Sequence, residues 1–194
     1  MRVDGGAAQR SHSVATYPDR VTDFVIRAAL PEEAADISEL AIRSKAHWGY
    51  DDAFIDASRE ELTIPPGRIV ARRTQVVVSG GGRADGAGGT ADDGPDAGPL
   101  PAGRILGFGT IEGEPPAGEL GMLFVDPDFI GRGVGGALFS HLAATATALG
   151  FHRLTIASDP NAEPFYLSKG AVRIGAVPSG SVPGRTLPLL AFAL

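Results

Sequence analysis

A glycine-rich segment, IGRGVGGALF at residues 130–139, has the residue types and spacing of an anion-binding site. Four glycines and one arginine, Arg132, stand directly before an apolar-periodic stretch that predicts a helix. The first turn of a helix leaves backbone N–H groups unpaired at the positive end of its dipole. Glycines let a phosphate approach those groups closely, and Arg132 offers a charge-assisted contact. The segment therefore predicts an anion site, although a plain glycine-rich turn before a helix has the same local pattern.

The spacing of Gly131, Gly133 and Gly136 also satisfies G-x-G-x-x-G, the fingerprint of dinucleotide-binding folds. In those folds a strand runs almost directly into the first glycine. Here the preceding apolar run ends at Val125, and DPDFI at 126–130 intervenes. Too little chain follows for repeated βαβ units, so the dinucleotide interpretation is disfavoured. The other phosphate loop, G-x-x-x-x-G-K-[ST], does not occur in the sequence.

Length and composition narrow the class of protein. A chain of 194 residues can bury one good core, which predicts a single domain. A hydrophobic content of 43% and a net charge of −6 are typical of a soluble globular protein, and the acidic balance disfavours nucleic acid as a partner. The lack of cysteine excludes cysteine nucleophiles, and four scattered histidines predict no metal site. Without a run of ~18 apolar residues or a secretory signal, we expect a cytoplasmic protein with no membrane partner.

The remaining pattern predicts the elements that would position the glycine segment. Strands are expected at 22–30, at 68–71 or 74–79, and at 104–113, 118–126, 153–158, 171–177 and 186–194. Helices are expected at 54–64, 133–149 and 161–170, and from Pro31 along the apolar face of Ala34, Ile37, Leu40 and Ala41. This order predicts an α/β (α+β) fold, with a mixed, largely antiparallel sheet flanked by helices.

Two segments lack the apolar residues that a folded element needs. Residues 1–22 are polar and aperiodic, and residues 79–103 hold nine of the 27 glycines with one large apolar residue, Leu100. Such segments cannot bury enough surface to offset the entropy of ordering them. We predict a disordered tail at 1–22 and one domain of residues 23–194. Inside that domain, the strand-like flanks predict that 79–103 is a flexible glycine-rich insertion in the loop of a hairpin.

Two motifs in the right order resemble the GCN5-related N-acetyltransferases, the GNAT family. LFVDPDFIGRGVGGALF at 123–139 is similar to the family's acyl-CoA signature, a strand ending in V-x-P, a short spacer and [Q/R]-x-x-G-x-[G/A] at the start of a helix. Gly133 and Gly135 hold the last two motif positions, whereas Ile130 stands where the family has Gln or Arg. SDPNAEPFYLSKGAVRIG at 158–175 is similar to the family's second half. The order of elements agrees over 23–194 outside the insertion, so the resemblance implies a GNAT-like fold.

The resemblance implies acetyl-CoA as the acyl donor and no metal. In the family the fourth and fifth strands splay, the pantetheine arm pairs with the exposed strand edge, and a backbone N–H there can polarise the thioester carbonyl as an oxyanion hole does. The residues that the resemblance assigns to the cofactor are Leu123, Phe124, Val125, Ile130, Gly131, Arg132, Gly133, Val134, Gly135, Gly136 and Asn161.

Acylation of an amine by a thioester needs a base for the ammonium and an acid for the thiolate. Glu119 is the candidate base, because strand alternation puts positions 119, 121, 123 and 125 on one face and some family members have glutamate at the matching place. Glu112 and a water chain are alternatives, and Glu119 could be an ordinary solvent-facing residue. Tyr166 matches the family tyrosine near the cofactor sulfur and is the candidate acid; packing beside Phe165 is its alternative role.

The acceptor is expected near SKAHWGYDD at 44–52, where the resemblance implies a helix–helix connection that lines the acceptor cleft. Aromatic side chains flanked by aspartates suit a cationic amine, and the candidates are His47, Trp48 and Tyr50; core packing is the alternative. We expect an N-acetyltransferase that acts by direct attack of a primary amine of a small molecule or peptide. A catalytically weak acyl-CoA sensor or interaction module is the alternative. The oligomeric state stays open, with a homodimer as one option.

Overall fold

The structure, a computed structural model, describes residues 24–80 and 103–194. Seven strands form one sheet in the order β1-β2-β3-β4-β5-β7-β6, and every neighbouring pair is antiparallel except the parallel pair β4 and β5. The strands are β1 (Phe24–Ala28), β2 (Gln75–Ser79), β3 (Ile105–Glu114), β4 (Ala117–Val125), β5 (Arg153–Ala157), β6 (Val172–Pro178) and β7 (Thr186–Ala193). The predicted fold class, a largely antiparallel sheet with flanking helices in one domain, is confirmed.

Five helices pack on this sheet. They are α1 (Ala34–Ala46), α2 (Asp52–Leu62), α3 (Pro66–Ala71), α4 (Val134–Ala148) and α5 (Glu163–Ser168). One 3₁₀ turn, Pro31–Glu33, leads into α1, and a second, Pro127–Phe129, follows β4. None of the helices within residues 24–80 and 103–194 is both long and apolar enough to cross a membrane.

Helix α3 settles the two options that the sequence left for the first strand of the hairpin. Pro65 and Pro66 end α2, but Pro66 also opens α3, because proline at a first helical position needs no N–H partner and already has a helical φ. Residues 68–71 are therefore helical, and the strand is the second option, realised as β2.

Two apolar cores lie on opposite faces of the sheet. One contains α1, α2 and α3 side chains, among them the predicted face of Ala34, Ile37, Leu40 and Ala41. The other contains α4 and α5 side chains, among them Leu138, Leu142 and Tyr166. Each helix layer thus approaches the sheet from its own side, and only a gap in the sheet can bring the two layers to a common site.

The predicted insertion joins two paired strands. The Ser79 N–H donates to the Arg104 carbonyl at 2.9 Å, and the Gly103 N–H donates to the Ser79 carbonyl at 3.0 Å. Strands β2 and β3 therefore form a hairpin, as the flanks of the insertion predict. The predicted tail at 1–22 and residues 81–102 of the predicted loop lie outside the described residues.

The gap in the sheet lies between β4 and β5. These strands pair only over 117–119 and 153–155, although β4 continues to Val125 and β5 to Ala157. Residues 120–125 of β4 consequently have no strand partner on the β5 side. The separation opens a passage between the α1 side and the α4 side of the sheet.

A β-bulge at Gly121 interrupts the alternation of side chains along β4. Thr110 of β3 pairs with Met122 and Ile111 pairs with Leu120, so Gly121 is the extra residue. Residues before and after a bulge follow opposite parity with respect to the two faces of the sheet.

The bulge corrects the predicted orientation of Glu119. Leu120, Leu123 and Val125 all pack in the α4 core, which shows that the alternation shifts by one residue between them. Glu119 lies directly opposite Glu112 and alternates with Leu120, so it is on the α1 side. The prediction that positions 119, 121, 123 and 125 share one face is therefore wrong.

Candidate active site

A cleft of about 470 Å³ occupies the gap between β4 and β5. Its floor is formed by residues 120–125 of β4. The α4-side wall contains the glycine segment, Phe165 and Tyr166, and the α1-side wall contains Lys45 and Trp48. A single cleft thus joins the predicted anion site to the predicted acceptor side.

The glycine segment presents unpaired backbone N–H groups to the cleft. Gly131 and Gly133 have φ values of 80° and 88°, and nothing lies within 4 Å of the place where a Cβ would stand on either residue. Gly133 is the N-cap of α4. The amides without an acceptor among the described residues are those of Gly131, Gly133, Val134, Gly135 and Gly136. Converging amides at the positive end of a helix suit a pyrophosphate.

The cation that faces this segment is Lys169 rather than Arg132. The Arg132 side chain is exposed, its guanidinium lies 5.7 Å from the centre of the Phe129 ring, and it does not line the cleft. Lys169 lines the cleft, and its Nζ is 3.2 Å from the position of a Cβ on Gly136. Lys169 is therefore better placed than Arg132 to neutralise an anion there. Ile130, where the motif departs, also lines the cleft.

A buried carboxylate fixes the backbone that leads into the glycine segment. Asp126 is 2% exposed and accepts from Arg43 of α1 at 3.2 Å and from Arg104, the residue before β3, at 3.1 Å. Its other oxygen accepts from the Asp128 N–H at 3.2 Å, which shapes the turn after β4. Two ion pairs, from α1 and from the residue before β3, thus hold the turn between β4 and the glycine segment.

Tyr166 lies at the junction of the two walls. It is 5% exposed, packs against Phe139 and Phe165, and lines the cleft. Burial, with a smaller contribution from the Asp159 charge, raises the pKa of its phenol, which stays protonated at neutral pH. The hydroxyl makes no hydrogen bond with any described residue, so its proton is available to a ligand.

The two candidate bases form a cross-strand pair on the α1 side, beside the cleft floor. Burial and the neighbouring Glu112 charge raise the pKa of Glu119, and Arg72 partly opposes them. The Glu112 carboxylate accepts from the Thr110 hydroxyl at 3.1 Å and covers Gly121, which is part of the floor. Neither carboxylate lines the cleft directly.

The predicted acceptor residues lie around the end of α1 with different roles. Trp48 is 42% exposed and lines the cleft, whereas His47 packs edge-on against Trp48 and is not part of the lining. Tyr50 stacks on Phe54 with ring centres 4.1 Å apart and is engaged in hydrogen bonds through its hydroxyl. Glu61 of α2 also lines this wall, and the sequence analysis did not identify it.

Asp159, after β5, is the centre of a polar cluster that we call the Asp159 cluster. Its carboxylate accepts from Lys45 at 2.8 Å, Arg185 at 3.1 Å and Tyr50 at 2.9 Å. Burial alone would raise the pKa of Asp159, but Lys45, the Asn161 N–H and the Tyr50 hydroxyl lower it to about 2. The carboxylate is therefore ionised at neutral pH, and the cluster joins α1, the α1–α2 connection, β5 and the β6–β7 connection.

Comparisons with known proteins agree with this geometry. A family model described as acetyltransferase (GNAT) domain matches residues 101–179, from the end of the insertion to β6. This part of the chain is therefore similar to a GNAT acetyltransferase domain. No curated protein matches it in a sequence search.

Solved structures of the GNAT fold cover nearly the whole chain. A GCN5-related N-acetyltransferase from Rhodopseudomonas palustris has 24% identity and a TM-score of 0.64, over 89% of this chain and 97% of that one. The PaiA N-acetyltransferase from Thermoplasma acidophilum, in complex with coenzyme A, has 15% identity and a TM-score of 0.64, over 88% of this chain and 99% of that one. Ard1 from Thermoplasma volcanium has 16% identity and a TM-score of 0.58, over 89% of this chain and 98% of that one.

Within this GNAT-like fold, the structure brings most of the cofactor residues predicted from the sequence to the cleft. The floor and glycine-segment positions line it, as does Asn161, whose side-chain amide donates to the Tyr50 hydroxyl at 3.2 Å. The exceptions are Arg132 and Val134; the Val134 side chain is buried in the α4 core, although its backbone N–H faces the anion site.

The site residues that sequence analysis missed are charged and distant in the chain. Lys45, Arg185 and Glu61 belong to neither of the two family motifs, and only their approach in the fold reveals them. A weak signal exists for Lys169, which directly precedes the helix-ending glycine of the second motif.

Proposed function

We propose that this protein transfers an acetyl group from acetyl-CoA to the primary amine of an acceptor by direct attack in a ternary complex. The observation that carries the proposal is the continuity of one cleft, with unpaired helix amides at one end, an unpaired strand edge as its floor and the Tyr166 hydroxyl between its walls. Both substrates can meet there without a covalent enzyme intermediate, and the chain has no cysteine to form one.

The donor is held by backbone groups in this proposal. The amides of the glycine segment and the Lys169 ammonium bind the pyrophosphate of acetyl-CoA. The pantetheine amides pair with the free edge of β4 near Leu123 and Val125, and a backbone N–H of that edge polarises the thioester carbonyl. The coenzyme A complex of the Thermoplasma acidophilum relative supports this use of the fold.

The acceptor nitrogen attacks the thioester carbon from the α1 side. The acceptor ammonium first loses one proton to a base, which makes its nitrogen a nucleophile. A C–N bond then forms and the C–S bond breaks, and the nitrogen loses its second proton to solvent as the amide is formed. We assign the role of the base to Glu119, because its raised pKa makes this carboxylate a stronger base than an ordinary glutamate. Glu112 lies closer to the floor and is the rival, and a water must link either carboxylate to the nitrogen, because neither lines the cleft.

Tyr166 stabilises the departing thiolate. A thiol has a pKa of about 8.5, well below the raised pKa of this phenol, so complete proton transfer to the sulfur is unfavourable. We therefore refine the role of Tyr166 from acid to hydrogen-bond donor, with the thiolate protonated after release.

A screen of amines with acetyl-CoA, followed by release of free thiol, tests the proposal. We expect acceptor-dependent thiol release and an acetylated amine of the corresponding mass. Tight acetyl-CoA binding by calorimetry with no thiol release from any amine would instead support the alternative of an acyl-CoA sensor or interaction module. Absence of acetyl-CoA binding would overturn both.

A further inference from the structure

The Asp159 cluster contains more positive than negative charge. Lys45 and Arg185 carry one positive charge each and Asp159 carries one negative charge, which leaves a surplus of one positive charge. The side chains of these three residues are only 14%, 17% and 14% exposed, respectively. Charges so shielded from water are costly unless they are paired.

The two cations also keep donors that the cluster does not use. Lys45 donates one of its three ammonium N–H groups to Asp159. Arg185 uses only Nη2, which donates to Tyr50 and Asp159, while its Nε and Nη1 groups have no acceptor among the described residues. Phe54 and Tyr50 hold the guanidinium in place, with ring centres 4.7 Å and 5.1 Å from it. Both cations are thus held in place before a ligand binds, and each has N–H groups that can donate to it.

The position of the cluster separates it from the donor site. Lys45 and Asp159 line the α1-side wall, whereas the amides and Lys169 that suit the pyrophosphate lie on the α4-side wall. Arg185 adjoins the lining through its bond to Asp159. Glu61 lines the same wall as Lys45 and offers a negative charge to the ammonium end of an acceptor.

We infer that the acceptor is an amine that also carries a carboxylate, as amino acids and short peptides do, and that Lys45 and Arg185 bind this carboxylate. The inference rests on the proposed function and narrows its acceptor class. An incoming carboxylate neutralises the surplus charge and fills the unused donors, and Trp48 and Leu187 give an apolar surface beside it. Lys45 makes the direct contact and Arg185 strengthens it from the rim.

The experiment compares amino acids and short peptides with their C-terminal amides as acceptors, with thiol release as readout. Wild type should favour the carboxylate form, and Lys45→Met and Arg185→Met should each raise the KM of carboxylate acceptors about 10-fold or more, the scale of a lost charge-assisted hydrogen bond. The KM of acetyl-CoA should not change. Lys45→Arg should keep the preference, and Arg59→Met, which removes an exposed cation paired only with Asp56, is the matched control.

The outcomes separate this inference from the proposed function. Equal or better turnover of the amides by wild type overturns the carboxylate site but leaves acetyl transfer standing. A loss of acetyl-CoA affinity in Lys45→Met or Arg185→Met, with the acceptor preference retained, overturns it in favour of a donor role. If no acceptor releases thiol, acetyl transfer fails, and the same compounds are compared by thermal shift with CoA bound. If the carboxylate compounds raise the melting temperature of wild type more than their amides do, and both variants lose this difference, the carboxylate site is supported. If wild type shows no such difference, the carboxylate site is overturned.

Discussion

A buried tyrosine usually satisfies its hydroxyl, but Tyr166 does not do so within the described residues. Its ring has the packing of a core aromatic, between Phe139 and Phe165, and its hydroxyl still borders a cleft. Packing and function are therefore two properties of one side chain, and a substitution that preserves the ring can separate them.

Tyr166→Phe should lower kcat about 100-fold, the scale for the loss of one preorganised hydrogen-bond donor to a developing anion, because the thiolate loses its hydrogen bond. The KM of acetyl-CoA should change little, since the lost contact strengthens mainly as the C–S bond breaks. Steady-state kinetics with free-thiol detection measure both values. Tyr50→Phe is a matched control, expected to alter the KM of the acceptor instead. Normal turnover by Tyr166→Phe would reduce the tyrosine to a packing residue.

Glu119→Gln should lower the rate at neutral pH and flatten the acidic limb of the pH–rate profile. The raised pKa of Glu119 places that limb above the ordinary range of a glutamate, because the base is lost once the pH falls below its pKa. Part of the rate should return at high pH, where more free amine is present. Glu114→Gln changes an exposed glutamate on β3 and serves as control. A wild-type profile in Glu119→Gln with a flattened one in Glu112→Gln would move the role to Glu112.

At this scale the sequence predicts residues that belong to a motif and misses those that meet only in the fold. Tyr166 and Gly133 are recognisable from their neighbours in the chain. Lys45 and Asp159 are separated by 114 positions, and no local pattern relates them. Their pairing depends on the path of the whole chain.

Among the elements, the first turn of α4 depends on one residue, Gly133, for its backbone conformation and for the open space above its amides. Gly133 has a φ of 88°, which residues with a Cβ adopt only with strain, and open space lies above it. The free amides next to it are useful only while that space stays empty.

Gly133→Asp should abolish acetyl-CoA binding while the fold survives, because it fills the space above the amides and adds a negative charge beside the pyrophosphate. Calorimetry measures the affinity, and circular dichroism checks the fold. Gly150→Asp is the matched control: Gly150 also has a φ of 88° but lies at the other end of α4, away from the cleft. Unaltered affinity in folded Gly133→Asp would show that the phosphate site is elsewhere.

Element types and order follow well from the sequence, since periodicity and proline positions are local signals. The strand and helix predicted on either side of the glycine segment end within a few residues of β4 and α4. The bulge at Gly121 could not be predicted, because it depends on the register with β3. That single residue decides on which face of the sheet Glu119 lies.

The Asp159 carboxylate links distant parts of the molecule, because it accepts hydrogen bonds from Lys45 of α1 and from Arg185 of the β6–β7 connection. The pKa of this carboxyl is about 2 in the folded state, below its ordinary value of 3.8. A depressed pKa stabilises the fold fully above the ordinary value, and that contribution disappears as the pH falls through the folded value.

Asp159→Asn should therefore lower the free energy of unfolding at neutral pH, and its deficit relative to wild type should shrink between about pH 4 and pH 2. Chemical denaturation across this range measures the difference. Asp56→Asn, which changes an exposed aspartate, should show little deficit at any pH. A deficit of constant size for Asp159→Asn would mean that the charge of Asp159 does not stabilise the fold.

Deletion of residues 82–100 should leave the melting temperature and the CoA affinity nearly unchanged. The hairpin is closed by backbone hydrogen bonds at Ser79, Gly103 and Arg104, and loop length itself contributes little to stability. Differential scanning calorimetry and CoA titration test this. A large loss in either would show that the segment contributes to the fold or to the cleft.

The last turn of α1 reaches both halves of the cleft. Arg43 binds Asp126 before the glycine segment, and Lys45, two residues later, binds Asp159 on the acceptor side. A ligand that tightens one contact constrains the same helical turn that forms the other. The two substrates should therefore be coupled thermodynamically: the factor by which bound CoA changes the affinity for the acceptor must equal the factor by which the acceptor changes the affinity for CoA. Such coupling would appear kinetically as a dependence of the apparent KM of each substrate on the concentration of the other.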